Sequence, residues 1–183
     1  MSIEKYTCEA LVLSEYNIAE SDAILLLYTR DFGVINAKQS SLKKSSKLRQ
    51  HLLVGRYCDV TLVKGREIYR IAGARESLRK ANRDLIPHVS GLAKRFLGFE
   101  NKNIKLYDRI REYGCRNDLD TNSVRLCMMA DILTVGGYLD ISKLDMTLEE
   151  YKISSIDDMY MKVALLRDLA VKNIRDAVEA SML

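Results

Sequence analysis

Residues 7–29, TCEALVLSEYNIAESDAILLLYT, contain two short apolar runs separated by a polar stretch. The first run, residues 7–16, combines β-branched and apolar residues with partial alternation, as half-buried strands do. The second run, residues 22–29, follows the turn-like Ala19-Glu20-Ser21. The chain is therefore predicted to open with two β-strands.

Three further strands are predicted downstream. Residues 33–37 follow the Asp31-Phe32-Gly33 turn. Residues 56–63 and 67–72 flank Lys64-Gly65-Arg66, a three-residue hairpin turn in which glycine supplies a positive φ. Five strands within about 70 residues, with one long polar loop before the fourth, predict a small five-stranded barrel of the OB-fold type.

After Ser77 the apolar pattern changes to a helical period. Pro87 suits the first turn of a helix that runs through residues 88–99. A second helix is predicted over 105–113 with Gly114 as its C-cap, and a third over 123–135, capped by Thr121 or Asn122. The fold class is thus α+β, with an OB-fold nucleic-acid-binding domain in residues 1–78 and a helical bundle domain in residues 79–183.

The last predicted helix carries the longest periodic pattern. Ser155 and Asp158 have the spacing of a capping box, with aspartate in place of glutamate. Apolar residues then recur every three or four positions and form one stripe over about 25 residues. The stripe consists of Ile156, Tyr160, Val163, Leu166, Ala170, Ile174 and Val178.

Charge is distributed unevenly along the chain. Residues 1–82 contain 14 Lys/Arg and 9 Asp/Glu, a net charge of +5, whereas residues 83–183 contain 15 and 16, a net charge of −1. With 48% hydrophobic residues, the chain can bury a real core. The asymmetry favours an N-terminal nucleic-acid module joined to a near-neutral second half.

No acidic residue occurs between Asp31 and Asp59, and this acid-free window is rich in cations and contains His51. Clusters of cations attract polyanions, and a nucleic-acid backbone is the polyanion that offers the most binding sites. The alternative interpretation is that the window is a solvated surface loop. Tyr57 and Tyr69 lie on predicted strands. Their rings either stack on nucleobases or pack inside the protein. The predicted DNA-binding residues are Lys38, Lys43, Lys44, Lys47, Arg49, Arg56 and Arg70.

Motifs of catalysis and metal binding are missing from the sequence. It has no phosphate-binding loop, dinucleotide fingerprint or nucleophile elbow, so we expect a non-enzymatic protein without a cofactor. The four cysteines lack zinc-site spacing, and we expect no metal. Free thiols, no secretory signal and no apolar run of about 18 residues predict a cytoplasmic protein that does not span a membrane.

Several short motifs occur in order along the chain. They are Ala10-Leu11-Val12-Leu13, Glu20-Ser21-Asp22, Thr29-Arg30-Asp31-Phe32-Gly33, Ala37-Lys38, Ser46-Lys47-Leu48-Arg49 followed by His51-Leu52, and Leu133 with Gly137-Tyr138-Leu139. This ordered series resembles the RecO family of bacterial recombination mediators over most of residues 6–140. Gln39 departs from the glycine usual in the family, and no cysteine occurs in residues 140–154, where many relatives carry a zinc module.

The resemblance implies a nucleoid-associated protein of DNA repair that binds single- and double-stranded DNA. It also implies annealing of complementary strands and help in loading the RecA recombinase in the RecF pathway. The implied partners are RecR and the acidic C-terminal tail of the single-strand DNA-binding protein. A tail carboxylate needs a cation beside an apolar pocket. The candidate cations for it are Lys94, Arg95, Arg109, Arg111 and Arg125.

Two alternatives of other classes fit the same composition. The chain is then either a protein-interaction adaptor whose barrel is only a scaffold, or an RNA-binding OB module. Salt-dependent DNA binding separates the mediator from the adaptor. Competition between DNA and structured RNA separates the mediator from the RNA-binding module.

Overall fold

The computed structural model describes residues 4–20, 22–40, 47–80, 82, 84–116 and 118–182. Its first part is built from strands and one short helix, and its second part from helices. The strands are β1 Lys5–Asn17, β2 Ala23–Thr29, β3 Gly33–Gln39, β4 Arg56–Lys64 and β5 Tyr69–Lys80. The helices are α1 Lys47–His51, α2 Ile86–Phe96, α3 Ile104–Cys115, α4 Thr121–Val135, a 3₁₀ helix Ile141–Leu144, α5 Leu148–Ile153, α6 Ile156–Leu165 and α7 Arg167–Ala180.

The five strands close into a barrel in the order β1-β2-β3-β5-β4. Neighbouring strands are antiparallel except β3 and β5, which pair in parallel through Ala37 with Tyr69 and Lys38 with Arg70. A closed five-stranded barrel followed by helices is the predicted OB-fold and helical arrangement. Within the predicted polar loop before β4, the structure places the short helix α1.

Both faces of β1 and β2 are buried, and this explains their continuous apolar runs. Residues such as Val12 and Leu25 point into the barrel, where they form one core cluster. Their neighbours point outward and belong to a second cluster made mostly of helical residues. The outward barrel residues in that cluster are Leu11, Leu13, Leu26, Tyr28, Val34 and Tyr57. The helices therefore cover part of the barrel's outer surface.

Ion pairs reinforce this contact between barrel and helices. Arg111 of α3 contacts Glu9 of β1 at 2.9 Å, and Arg30 contacts Asp108 of α3 at 3.0 Å. The segment after α2 also lies on the barrel, because the Glu100 N–H donates to the Val34 carbonyl at 2.9 Å. The first helices are thus held to the barrel by apolar, ionic and backbone contacts.

Two details at the helix ends differ from the predictions. Gly114 lies inside α3 rather than capping it, and a Cβ there would meet the Tyr57 hydroxyl at 3.0 Å. A Cβ here would press on the end of the Tyr57 side chain, and such a close approach leaves no periodic signal in the sequence. Helix α4 begins two residues earlier than predicted because Asp120 is its N-cap, accepting a hydrogen bond from the Ser123 N–H.

Strand β5 begins at Tyr69, two residues later than predicted, and continues to Lys80. The predicted three-residue turn before it is wrong, because residues 65–68 connect the two strands and Gly65 does not have a positive φ.

The predicted single long last helix is wrong in its continuity. The predicted capping box of Ser155 and Asp158 is confirmed at the start of α6. At Leu166 the backbone leaves helical geometry, with φ −106° and ψ 31°, and α7 begins at the next residue. The stripe still faces the core on both helices, through Ile156 and Val163 on α6 and Ala170 and Ile174 on α7. The apolar periodicity continues across the break between α6 and α7, so it could not predict where one helix ends and the next begins.

Among the described residues, no helix is both long enough and apolar enough to cross a bilayer.

Gly33 allows the segment after α2 to reach the barrel, and its replacement tests that contact. Gly33 has a φ of +71°, and a Cβ on it would lie 2.3 Å from the Asn101 carbonyl oxygen. We expect Gly33→Ala to cost about 1–2 kcal/mol from backbone strain and roughly 1–3 kcal/mol more from the clash. Denaturant unfolding measures both costs together.

Gly137 provides the matched control for that measurement. Its φ is +79°, yet a Cβ there would meet nothing within 4 Å. Gly137→Ala should therefore show the strain cost alone. Equal losses of unfolding free energy in the two variants would contradict the close approach of residue 101 to the barrel.

Candidate nucleic-acid interface

The cations of the acid-free window have partners from elsewhere in the fold. Lys38 contacts Asp22 at 2.9 Å, Arg49 contacts Glu15 at 2.8 Å and Arg56 contacts Glu76 at 2.8 Å. The inference that the window lacks counter-charges is therefore wrong for these three, because neighbouring strands supply carboxylates. Lys43 and Lys44 lie outside the described residues, as does the side chain of Lys47 at the start of α1.

Arg70 lies beside Lys38, which is 32 positions earlier in the chain. The two are register partners in the parallel β3–β5 pair, so their side chains leave the same face of the sheet. Arg70 also pairs with Val63 of β4, and Val63 pairs with Lys5 of β1. One row of outward-facing positions thus runs Lys38, Arg70, Val63, Lys5 across four strands, and three of the four are cations.

Lys64, the last residue of β4, and Arg66, in the turn after it, are also exposed. Lys64 is the register partner of the buried Tyr69, so its side chain leaves the opposite face from the row, at the end of the barrel. We call Lys5, Lys38, Lys64, Arg66 and Arg70 the basic strip. Among the ion pairs between described residues, the strip takes part only through Lys38 with Asp22. The strip occupies barrel surface that the helical core leaves open, since the covered residues lie elsewhere on the strands. Charges on an open, convex face are free to approach a polyanion.

Sequence reasoning identified Lys38 and Arg70 but missed the other three members of the strip. Lys5, Lys64 and Arg66 lie outside the acid-free window, as Arg70 does, and the window was the main signal used to find cations. Register between strands brings them together, and no local pattern contains that register. In β5 the aromatic Tyr69 is followed by the charged Arg70, and this alternation indicates that the Arg70 side chain faces outward. The structure agrees, since Tyr69 is buried and Arg70 is exposed.

The predicted stacking role of Tyr57 and Tyr69 does not agree with their burial. Tyr57 is 2% exposed and packs in the cluster that joins barrel and helices. Tyr69 is 5% exposed, and its ring lies 5.6 Å from that of Phe32. Burial raises the pKa of both phenols above the ordinary value. Neither ring offers a free face to a base, so both tyrosines are packing residues.

Phe99 is an exposed aromatic side chain near the basic strip, at 57%; Tyr16 and Tyr138 are exposed as well, at 70% and 45%. It follows α2, forms a β-bridge with Val34 and helps line a shallow pocket of about 260 Å³ together with Asn36, Tyr69 and Glu67. Asn36 is two residues from Lys38 on the same face of β3. An aromatic ring and an amide thus adjoin the basic strip, although nothing in the local sequence marked Phe99.

The pocket around Phe99 also has carboxylates, Glu67 and Glu100. Carboxylates repel phosphates but accept hydrogen bonds from the amino groups of bases. The pocket therefore suits the base side of a nucleotide, and the neighbouring cations suit its phosphate side. The site can therefore hold one single-stranded nucleotide with its base in the pocket and its phosphate against the cations.

Two of the five cations predicted for an acidic tail are engaged within the fold. Arg109 is 6% exposed and contacts Asp131 at 2.8 Å, so it is unavailable to a partner. Burial by itself would lower the pKa of Arg109, but the charge of Asp131 raises it above the ordinary value. Arg111 contacts Glu9 at 2.9 Å and Asp108 at 3.2 Å. Both arginines hold the fold together.

The remaining three candidates lie on or beside the surface. Lys94 and Arg95 are exposed near the end of α2, where the Arg95 guanidinium lies 5.2 Å from the Phe96 ring centroid and donates to the Ser181 hydroxyl at 3.2 Å. Arg125 is half-buried, and its charge helps burial to lower the pKa of His88. Sequence spacing could not distinguish these residues from the buried Arg109.

All four cysteines are free thiols, and Cys8, Cys58 and Cys127 are buried. Burial raises the pKa of the Cys8, Cys58 and Cys127 thiols to about 12, which keeps them protonated and unreactive near neutral pH. Cys115 is partly exposed. Within the described ranges, no group of three or more His, Cys, Asp or Glu side chains is arranged to hold a metal ion.

Comparison with known proteins agrees with the barrel geometry. A search of curated proteins found no match. Residues 1–77 match the family model described as "Recombination protein O N terminal", which covers β1 to β4 and most of β5. The match gives the chain a general role in DNA recombination and repair. The resemblance to RecO is therefore confirmed over the barrel, where residues 1–77 match the family's N-terminal model.

Proposed function

We propose that this protein is a non-enzymatic recombination mediator that binds single- and double-stranded DNA through the basic strip. Two observations together support the proposal. The barrel matches the RecO N-terminal family, and its uncovered face carries a row of cations assembled from several strands. Lysine and arginine contact phosphates without reading bases. Such contacts suit a protein that acts on any sequence.

Binding by the strip derives its free energy from counterion release. Each phosphate neutralised by a lysine or arginine frees condensed cations from the DNA, so affinity falls as salt rises. Duplex DNA has its base faces stacked inside, and it contacts the strip alone. Single strands also offer unstacked bases, which Phe99 and its pocket receive.

The same surface supports annealing of complementary strands. Two polyanions repel each other, and cations between them lower that repulsion. Because base pairing supplies the specificity, the protein needs only to hold backbones at high local concentration. In this proposal the mediator then helps load RecA in the RecF pathway, with RecR and the tail of the single-strand DNA-binding protein as partners. Lys94 and Arg95 are the exposed cations left to receive that tail.

Removing three exposed strip cations tests the site. We expect Lys64→Ala, Arg66→Ala and Arg70→Ala together to weaken binding to all DNA sequences alike. The slope of log K against log salt should fall by about 2 on single strands, at about 0.7 per lost phosphate contact. Annealing of complementary oligonucleotides, naked or coated by single-strand DNA-binding protein, should slow in parallel. Titrations at several salt concentrations measure the slope.

A triple variant on the helical half is the control with the same change in net charge. Lys152→Ala, Lys172→Ala and Arg175→Ala remove three exposed cations from α5 and α7. If this control lost as much affinity as the strip variant, net charge rather than the strip would explain binding. Tighter binding of structured RNA than of DNA would instead favour an RNA-binding module.

Phe99→Ala tests the stacking contact separately from charge. We expect single-strand binding to weaken by about 1–3 kcal/mol, the usual contribution of a stacked base, with duplex binding unchanged. Fluorescence anisotropy with matched single-stranded and duplex oligonucleotides measures the difference. An equal loss on both substrates would show that Phe99 acts through the fold instead.

A further inference from the structure

An open groove lies on the helical half, between α5 and α6 and beside the turn after the 3₁₀ helix. Its volume is about 550 Å³, and three of its lining residues are large apolar side chains open to solvent. Ile153 is 84% exposed, Met161 is 67% exposed and Leu165 is 80% exposed. Contiguous apolar surface of this kind marks an interaction site.

Helix α6 is apolar on two faces, which packing within the chain does not explain. Its residues Ile156, Met159 and Val163 are buried in the core. Met161 and Leu165 are four positions apart and so share another face, which is the groove side. A surface helix needs one apolar stripe to join its core. The second apolar face therefore remains for a partner.

Carboxylates surround this apolar floor. Asp145, Glu150 and Asp158 line the groove, and the Asp145 side chain is 81% exposed. The single lysine on the lining, Lys162, is already paired with Asp145 at 3.1 Å. Residues 140–158 contain six Asp/Glu and two Lys. The groove therefore has a negative rim, opposite in charge to what an acidic tail requires.

We infer that this groove binds a basic amphipathic segment of a partner protein. Apolar anchors at helical spacing fill the floor formed by Met161 and Leu165, and flanking lysines or arginines reach Asp145 and Glu150. This is helix-in-groove recognition with charge complementarity at the rim. The site is separate from the basic strip and does not depend on DNA binding. The partner segment that this groove binds is basic, whereas the tail of the single-strand DNA-binding protein is acidic.

A designed peptide pair tests the inference on the full-length protein. The first is a fluorescent helical peptide with leucines at positions i, i+4 and i+7 and lysines or arginines around them. The second has glutamate at every basic position. We expect the basic peptide to bind, with affinity that falls as salt rises, and the acidic peptide to bind at least tenfold more weakly. Tighter binding of the acidic peptide would overturn the inference.

Groove variants show where the peptide binds. Met161→Gln with Leu165→Gln replaces two apolar side chains by polar ones of similar size and helix propensity. This removes the apolar floor and should weaken binding of the basic peptide at least tenfold. Asp145→Asn keeps a residue tolerant of the left-handed backbone there, φ +53°, and should weaken binding and its salt dependence. Glu179→Gln, which removes an exposed carboxylate of α7 outside the groove, is the control.

Two results would reject the assignment. Unchanged peptide affinity in both groove variants would place the basic peptide elsewhere. Self-association of the free protein that Met161→Gln and Leu165→Gln abolish would assign the groove to a second copy of the chain. Circular dichroism of each variant checks that folding is intact, which is expected because the changed side chains are exposed.

Discussion

Burial of the barrel's outer surface under the helices is the constraint on which the rest of the structure depends. Six large side chains of β1 to β4 leave the barrel outward and enter the helical core. Burial of a Leu-sized side chain contributes about 1.5–3 kcal/mol, so this contact is a large share of the stability of a domain of this size. The barrel and the first helices therefore share one hydrophobic cluster.

That contact also determines which part of the barrel meets solvent. Strands β1 and β4 are covered at Leu11, Leu13 and Tyr57 but open near Lys5 and Val63. The basic strip crosses the open part, and Phe99 reaches it because the segment after α2 is bound to β3. The outer surface of the barrel strands thus has two parts. One part packs against the helices, and the other is exposed and suited to binding polyanions.

Local patterns in the sequence predicted the strands and the longer helices, but not α1, the 3₁₀ helix or α5, and not how the strands pair. The five strands, the Pro87 helix start and the Ser155 capping box follow from turn chemistry and periodicity, and the structure has all of them. The ion pairs of Lys38, Arg49 and Arg56 depend on strand register, which brings in carboxylates from distant positions. The break at Leu166 interrupts no apolar period. Burial of Tyr57 and Arg109 follows from tertiary packing, which residue type alone does not reveal.

Hydrogen exchange with and without a single-stranded oligonucleotide tests the division of the barrel surface most directly. Amides that DNA covers exchange more slowly, while those already buried beneath the helices should not change. We expect new protection in residues 63–70 and 99–101, and none at the centres of β1 and β2. Protection confined to α4 through α7, with residues 63–70 unchanged, would contradict the basic strip as the DNA-binding face.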